Sequence, residues 1–192
     1  MEPKPDMDVD VREQKWAWVL TGSGHFFDES LAILATLGAC DVFLSRAAEE
    51  VLRMYKHRGD IFPPHTTVYR DTTASAAPVG QFYKGLYHSL IMAPVSANTV
   101  AKMVYGISDT LASNVYAQAG KCRVPSIVFA CDTAPELETM APAGMVKVYP
   151  RRIDLENAAR LRGFEATTVV ESMADLERAI EERRAWLKES SS

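Results

Sequence analysis

Short apolar runs alternate along this chain with segments whose apolar residues recur at helical spacing. Four runs have the length and composition of buried strands, namely residues 16–20, 41–44, 89–92 and 125–130. Helical spacing follows the first two runs, over residues 28–37, where Gly38 is a suitable stop, and around Val51. Because strands and helices alternate, the pattern predicts an α/β fold: a doubly wound parallel sheet with helices on both faces, in three layers.

Weaker patterns complete the predicted order of elements. We expect further strands near residues 66–69, 145–149 and 169–170, and helices over residues 99–119 and 173–187. The first of these helices is expected to be interrupted near Gly106. Residues 1–14 lack such a pattern, so the sequence predicts a disordered leader followed by a single domain over residues 15–188.

Composition and charge argue against several kinds of partner. The 192 residues are 47% hydrophobic, enough for a full core, and a net charge of −4 argues against nucleic acid or an anionic membrane. No apolar run approaches a membrane span, and no secretion signal is visible. The three cysteines have neither metal-ligand nor iron–sulfur spacing, and we expect a reduced, cytoplasmic location. If the protein transfers electrons, an organic cofactor or an external partner is expected to carry them.

Small polar residues follow four of the predicted strands. They form loops at residues 21–25, 45–47, 94–99 and 130–133. Because the carboxyl ends of the strands in a doubly wound sheet share one edge, these loops are expected to converge on one ligand. Hydroxyl groups and the free amides of helix starts at that edge suit an anion.

The first loop favours a mononucleotide over a dinucleotide. Residues 21–24 contain Gly-x-Gly, but no third glycine completes the dinucleotide fingerprint. No acidic residue ends the second strand to hold an adenosine ribose, since Asp41 begins that strand instead. The glycines allow a ligand to approach the backbone, although a tight turn without a ligand is an equally good interpretation of this loop alone.

The loop after the third run carries the most specific motif. Residues 94–99 read Pro-Val-Ser-Ala-Asn-Thr, which resembles the Pro-Ala-Ser-Ala-Asn-Thr motif of the homo-oligomeric flavin-containing cysteine decarboxylase superfamily, with Val95 replacing the first alanine. The resemblance implies a Rossmann-like, flavodoxin-like fold and bound flavin mononucleotide (FMN). It also implies a homo-oligomer, a trimer or a dodecamer-type assembly of trimers, with the pocket between subunits. A capped helix start without a ligand is the alternative.

The resemblance further implies how FMN is held. The phosphate would lie near Ser45 and the helix starting at residues 96–99, neutralised by amides and hydroxyls without a lysine. The isoalloxazine ring would lie over the first loop and the loop at residues 130–133. The predicted cofactor-binding residues are Thr21, Gly22, Ser23, Gly24, Ser45, Ala47, Pro94, Ser96, Asn98, Thr99, Ala130 and Cys131.

The signatures of the decarboxylases in this superfamily are missing. Their catalytic histidine precedes an apolar residue, whereas His65 lies too far upstream of the motif and His88 too close to it. Residues 130–133 read Ala-Cys-Asp-Thr where a Met-Asn substrate clamp would stand. The flavin prenyltransferases need a basic set for a prenyl phosphate, and Arg151 with Arg152 is interpreted as surface charge instead.

Through the segments 22–25, 81–99 and 130–132, residues 15–185 resemble the dihydromethanopterin reductases of one-carbon metabolism. That likeness implies that FMN takes a hydride or electrons from NAD(P)H or a small redox protein and reduces a dihydropterin to its tetrahydro form. His25 and Asp132 are the predicted catalytic residues, with Asp28 as a further candidate, because the imine nitrogen needs a proton. A structural role for His25, and a role for Asp132 in holding a ring nitrogen or an amine, are alternatives.

Other functions and residue roles stay open. A flavin-dependent decarboxylase or flavin prenyltransferase, a non-enzymatic electron carrier and a ligand-free homologue are alternative functions. Cys131 is either a redox thiol or a packing residue. Phe82, Tyr83 and Tyr87 either cover a planar ligand or fill the core or an interface.

Overall fold

The computed structural model describes residues 14–55, 57, 61–72, 76–141 and 144–190. The strands are β1 (Lys15–Leu20), β2 (Cys40–Leu44), β3 (Val68–Arg70), β4 (Tyr87–Val95), β5 (Ser126–Ala130), β6 (Leu137–Ala141), β7 (Gly144–Val148) and β8 (Thr167–Val170). The helices are α1 (Phe27–Ala35), α2 (Arg46–Met54), α3 (Gly80–Tyr83), α4 (Ala97–Val104), α5 (Leu111–Lys121), α6 (Arg152–Leu161) and α7 (Met173–Ser190). Residues 1–13 of the predicted leader lie outside the described residues. No helix among those described is long and apolar enough to cross a membrane.

Six strands form one parallel sheet in the order β3-β2-β1-β4-β5-β8. From β1 the chain builds outward to β3, then returns past β1 to β4 and continues to β8 at the opposite edge. The strand order therefore reverses between β1 and β4, and ligands of doubly wound sheets bind at such a switch point, beyond the carboxyl ends of the strands. The predicted doubly wound parallel sheet is confirmed.

The two faces of the sheet carry separate hydrophobic cores. Along β1, Trp18 and Leu20 pack with α1, α2 and α7, whereas Ala17 and Val19 pack with α4 and α5. Every residue of β5 is buried. Strands that are buried on both faces appear in a sequence as continuous apolar runs, which is why β1, β4 and β5 could be predicted.

The predicted helix over residues 99–119 consists of two helices, with the break at the expected place. Helix α4 ends before Gly106, whose φ of +69° is a left-handed conformation that suits a helix end. A new cap then begins α5, since the side chains of Thr110 and Ser113 each accept a hydrogen bond from the other's backbone amide.

The chain after β5 differs most from the prediction. A strand does form near residues 145–149, but this strand, β7, pairs antiparallel with β6 and forms a hairpin outside the main sheet. Strand β6 and helix α6 were not predicted. Arg151, interpreted as surface charge, stands at the start of α6 with 69% of its side chain exposed and pairs with Asp154.

Candidate functional site

Two adjoining cavities lie at the carboxyl edge of the sheet, where the four predicted loops meet. The first, here the polar cavity, has a volume of about 400 Å³ and is lined by residues that include Gly22, Ser45, Arg46, Ser96, Thr99 and Lys102. The second, here the hairpin cavity, has a volume of about 490 Å³ beside β6 and β7, and its lining includes His25, Tyr55, Cys131, Asp132, Leu137 and Thr139. Gly22, Ala47 and Ser96 line both cavities, so a single elongated ligand can occupy the two.

Most of the predicted site residues meet at these cavities. Those in one or both linings are Gly22, Ser23, Gly24, His25, Ser45, Ala47, Ser96, Asn98, Thr99, Cys131 and Asp132. Thr21, Pro94 and Ala130 are buried and belong to neither lining. Asp28 is also elsewhere, because its carboxylate lies 2.8 Å from the His57 ring. Phe82 and Tyr87 belong to the core, which supports the structural interpretation of those two rings.

Thr21 joins the first loop to the motif loop. Its fully buried hydroxyl donates a hydrogen bond of 2.9 Å to the Pro94 carbonyl oxygen and accepts one of 2.9 Å from the Ser96 amide. Because both partners are protein groups, Thr21 positions the loops and has no free hydrogen for a ligand.

We expect Thr21→Val, which keeps the shape but removes the hydroxyl, to destabilise the protein. The change leaves the Ser96 amide and the Pro94 carbonyl oxygen without this partner, at a cost of ~1–3 kcal/mol. Urea unfolding would measure the loss. Thr168→Val, at an exposed position of β8, is the matched control and should change the free energy of unfolding by less than about 0.5 kcal/mol. Equal midpoints for the two variants would contradict the role of Thr21.

Gly22 packs directly against the first turn of α2. A Cβ atom at Gly22 would stand 2.3 Å from the Ala47 Cβ atom, well inside van der Waals contact. The glycine is therefore required for the close approach of the first loop to α2. A small residue at Ala47 is required for the same reason.

The polar cavity combines two helix starts with hydroxyl and cationic groups. Ser45 caps α2 by accepting a hydrogen bond of 3.0 Å from the Ala48 amide, and Ser96 precedes α4 with its hydroxyl 3.2 Å from that of Thr99. The positive ends of two helices and their hydroxyls favour an anion here. Arg46 and Lys102 add positive charge, Lys102 within 2.7 Å of Asp109.

His25 lies in the hairpin cavity as a half-buried imidazole. Its ring packs against Phe26, with centroids 4.3 Å apart, and stacks over Phe129 at 6.3 Å. Burial lowers the pKa of His25, while the carboxylates of Asp132 and Glu29 oppose that shift. Burial therefore favours the neutral imidazole, while the two carboxylates favour its protonated form.

Asp132 connects the hairpin cavity to the start of α4. Its carboxylate accepts a hydrogen bond of 3.2 Å from the Ala97 amide. Burial raises the pKa of Asp132, Asp154 adds to the increase, and the Ala97 amide and His25 counteract it. Asp132 thus caps a helix that borders the polar cavity while it interacts electrostatically with the histidine in the hairpin cavity.

Cys131 is a packing residue by its environment. Burial raises the pKa of its thiol to about 12, although a hydrogen bond with Ser23 acts in the opposite direction. The reactive thiolate is therefore disfavoured, and a redox role for this cysteine has no support from its surroundings.

The family follows from a match over nearly the whole chain. Residues 6–191 match the family model described as Flavoprotein. The chain belongs to the Flavoprotein family. Among solved structures, this flavoprotein resembles DmrB of Burkholderia xenovorans, which was solved in complex with FMN and is described as a cubic protein cage for redox transfer. The two are 47% identical with a TM-score of 0.82, and the alignment covers 92% of this chain and 98% of DmrB.

Two archaeal relatives of the flavoprotein are of different lengths. The dihydromethanopterin reductase (acceptor) of Methanosarcina mazei is 37% identical over 132 residues, which are 62% of this chain and 55% of that protein. The flavoprotein thus matches only about half the length of that relative. An uncharacterized protein of Methanocaldococcus jannaschii is 35% identical over 175 residues, which are 86% of this chain and 94% of that protein.

Several residues of the flavoprotein's cavities were not predicted from the sequence. The hairpin contributes Leu137, Thr139, Met140, Ala141 and Val148, and α2 contributes Tyr55 beyond its last turn. Only the three-dimensional fold brings these segments to the first loop. Arg46 had a local signal, since it directly follows the predicted Ser45 at the start of a helix. Lys102 lies one turn after Thr99, although the phosphate site was expected without a lysine.

Proposed function

We propose that this chain is an FMN-dependent reductase of a dihydropterin such as dihydromethanopterin. The observation that carries the proposal is the pair of adjoining cavities, one suited to a phosphate and the next to a planar ring, which share Gly22, Ala47 and Ser96. The 47% identity to an FMN-bound protein and the dihydromethanopterin reductase among the relatives support the same assignment.

The polar cavity fits the phosphate group. The positive ends of α2 and α4, the hydroxyls of Ser45, Ser96 and Thr99, and the guanidinium of Arg46, whose Nε also donates to the Asp71 carbonyl oxygen, surround one space. Asp71 and Asp109 also line it, but Asp109 is paired with Lys102. The donors therefore outnumber the unpaired acceptors, as a dianionic ligand requires.

The hairpin cavity fits the ring system. Val51, Met54, Leu137 and Val148 contribute apolar walls, while Gly22 and Gly24 leave the backbone open to close approach. Bound FMN supplies two-electron chemistry at this position. These walls offer apolar surface to a planar ring, and His25 with Asp132 places a titratable pair at the same cavity.

His25 is the proton donor in this proposal, and Asp132 is its charged partner. Reduction of an imine requires a proton at nitrogen, and an imidazolium beside a carboxylate can supply it. Asp132 keeps the pKa of His25 higher than burial alone would leave it, so it increases the protonated fraction at a given pH. The electron donor is proposed to be NAD(P)H or a small redox protein.

We also propose a homo-oligomer, a trimer or an assembly of trimers. The related DmrB forms a cage, and this chain exposes large apolar side chains around the hairpin and the start of α6: Met140, Met145, Val146, Tyr149 and Ile153. Light scattering coupled to size-exclusion chromatography tests this, and a monomer at micromolar concentration would refute it.

A visible spectrum with sequential additions tests the reductase proposal. The purified protein should bind FMN and become yellow, lose its colour when NADH or NADPH is added without oxygen, and regain it with dihydromethanopterin. Failure to bind FMN would overturn the proposal as a whole. Bleaching without reoxidation by the pterin would replace the reductase with a carrier or another flavoenzyme.

Removing the charge of Arg46 should weaken binding of FMN but not of riboflavin. Loss of one charge-assisted hydrogen bond to the phosphate corresponds to about a tenfold rise in Kd for FMN. Titration of Arg46→Ala with both flavins, followed by fluorescence quenching, measures the difference. Arg53→Ala, on the same helix but outside both cavities, is the matched control. A parallel loss of FMN and riboflavin affinity would show that Arg46 acts through structure instead.

A further inference from the structure

The hairpin of β6 and β7 forms one wall of the hairpin cavity but has few attachments of its own. Leu137, Thr139, Met140 and Ala141 line the cavity, and Met140 is also 48% exposed. Within the described part of the chain, β6 and β7 pair only with each other, and neither contains a fully buried residue. An isolated two-stranded hairpin is marginally stable, so within one subunit its position depends on its contacts with the rest of the domain.

Tyr55 makes one such contact. Its hydroxyl donates a hydrogen bond of 2.7 Å to the Met140 carbonyl oxygen, 85 residues away in the chain. Among the side-chain hydrogen bonds of the described residues, this one joins the hairpin to the body of the domain. The Tyr55 ring in turn stacks on the buried Phe27, with centroids 6.5 Å apart. This packing against the core fixes the position of the ring and therefore of its hydroxyl.

Gly24 lies against the same contact. A Cβ atom on Gly24 would come within 2.3 Å of the Tyr55 hydroxyl and 3.1 Å of the Met140 carbonyl oxygen. The first loop, the end of α2 and the hairpin therefore meet at one point with no spare room. Burial and the Asp28 carboxylate raise the pKa of Tyr55, so its hydroxyl remains a hydrogen-bond donor at neutral pH.

We propose that Tyr55 is a positioning residue whose hydroxyl fixes the hairpin over the hairpin cavity and thereby sets how tightly the flavin ring is retained. The retention part rests on the proposed function, in which this cavity takes the ring of FMN. The fixing part concerns the protein alone. Tyr55 contacts the wall of the cavity through a carbonyl group and has no part in the proton transfer assigned to His25.

The test compares Tyr55→Phe with the wild-type protein in two measurements. In the FMN-free protein, hydrogen exchange of the amides in residues 137–141 and 144–148 should accelerate about three- to tenfold, as expected for the loss of one hydrogen bond. In the loaded protein, the rate of FMN dissociation should rise by a similar factor, while exchange in β1 and β4 stays unchanged. Tyr105→Phe is the matched control, since Tyr105 is 54% exposed at the C-terminal end of α4, lines neither cavity, and keeps the Arg160 guanidinium over its ring without the hydroxyl.

A second variant tests the contact from the other side. Gly24→Ala drives a methyl group against the Tyr55 hydroxyl, so it should also accelerate exchange in the hairpin. Its effect should be smaller in the Tyr55→Phe background, because the two changes disrupt the same contact and are not additive. Full additivity would overturn the claim that the Tyr55 hydroxyl holds the hairpin in place.

Each outcome separates this proposal from the proposed function. Unchanged hairpin exchange in Tyr55→Phe overturns the positioning role. Faster exchange with an unchanged rate of FMN dissociation overturns the retention role, and would mean that the hairpin does not enclose the ring. A wild-type protein that binds no FMN overturns the proposed function and the retention role together, and the exchange data then decide the positioning role alone.

Discussion

Gly22→Ala is expected to reduce FMN affinity about five- to 150-fold. The added methyl group would stand 2.3 Å from the Ala47 Cβ atom, so the first loop and the first turn of α2 must separate. Overpacking of this kind costs ~1–3 kcal/mol, and the separation displaces two of the three residues that line both cavities. Calorimetric titration of the FMN-free variant measures the effect.

Two further variants make this expectation specific. Gly120→Ala, in α5, has open space around the new methyl group and should bind FMN like the wild type, with a gain in helix stability of ~0.5–1 kcal/mol. Gly22→Ala combined with Ala47→Gly should recover part of the affinity, because the nearest remaining atoms lie 3.3 Å away. If Gly22→Ala binds FMN as tightly as the wild type, the first loop is not confined by α2.

Asp132→Asn is expected to lower turnover by about two orders of magnitude while FMN stays bound. The amide oxygen can still accept the hydrogen bond from the Ala97 amide, so the start of α4 is preserved. The Asp132 charge is lost, and of the two carboxylates that oppose the effect of burial on the pKa of His25 it has the larger effect. The variant should therefore hold less of the protonated imidazole at every pH near neutrality.

The pH dependence gives the sign of this effect. The donor form of His25 is present below its pKa and disappears as the pH rises through it, so kcat/KM should decline on the alkaline side. Removal of the Asp132 charge lowers that pKa further, which moves the decline to lower pH. Asp28→Asn is the comparison, because that carboxylate contacts His57 and should leave the profile in place. Identical profiles for Asp132→Asn and wild type would remove His25 and Asp132 from the proton transfer.

The parts of the site that belong to the sheet could be predicted from the sequence. β1, β4 and β5 are buried on both faces, so they appear as apolar runs, and the residues after them necessarily lie at one edge. That reasoning placed His25 and Asp132 in the same cavity although they are 107 residues apart in the chain. The same reasoning could not tell which polar groups face a ligand and which join the loops to each other. Thr21 was predicted to bind the cofactor, but both hydrogen bonds of its hydroxyl are made to protein groups.

The parts of the site outside the sheet could not be predicted. β6 alternates between half-buried and exposed residues with Glu138 and Thr139 at its centre, so it has no apolar signature. Tyr55 lies at the end of an amphipathic helix, and nothing near it in the sequence indicates a partner at Met140. Such contacts depend on how distant segments meet after folding, and a single sequence does not encode them in a local pattern.

The separation of the hairpin from the six-stranded sheet has a consequence for how such proteins diversify. Substitutions in the hairpin alter one wall of the site without removing a strand from the core, so they carry little penalty in folding. Loops around the helix starts, by contrast, are packed against each other at Gly22 and Thr21 and tolerate little change. Substitutions that change substrate choice, in nature or in laboratory evolution, should therefore accumulate in the hairpin, while the residues of the polar cavity change little.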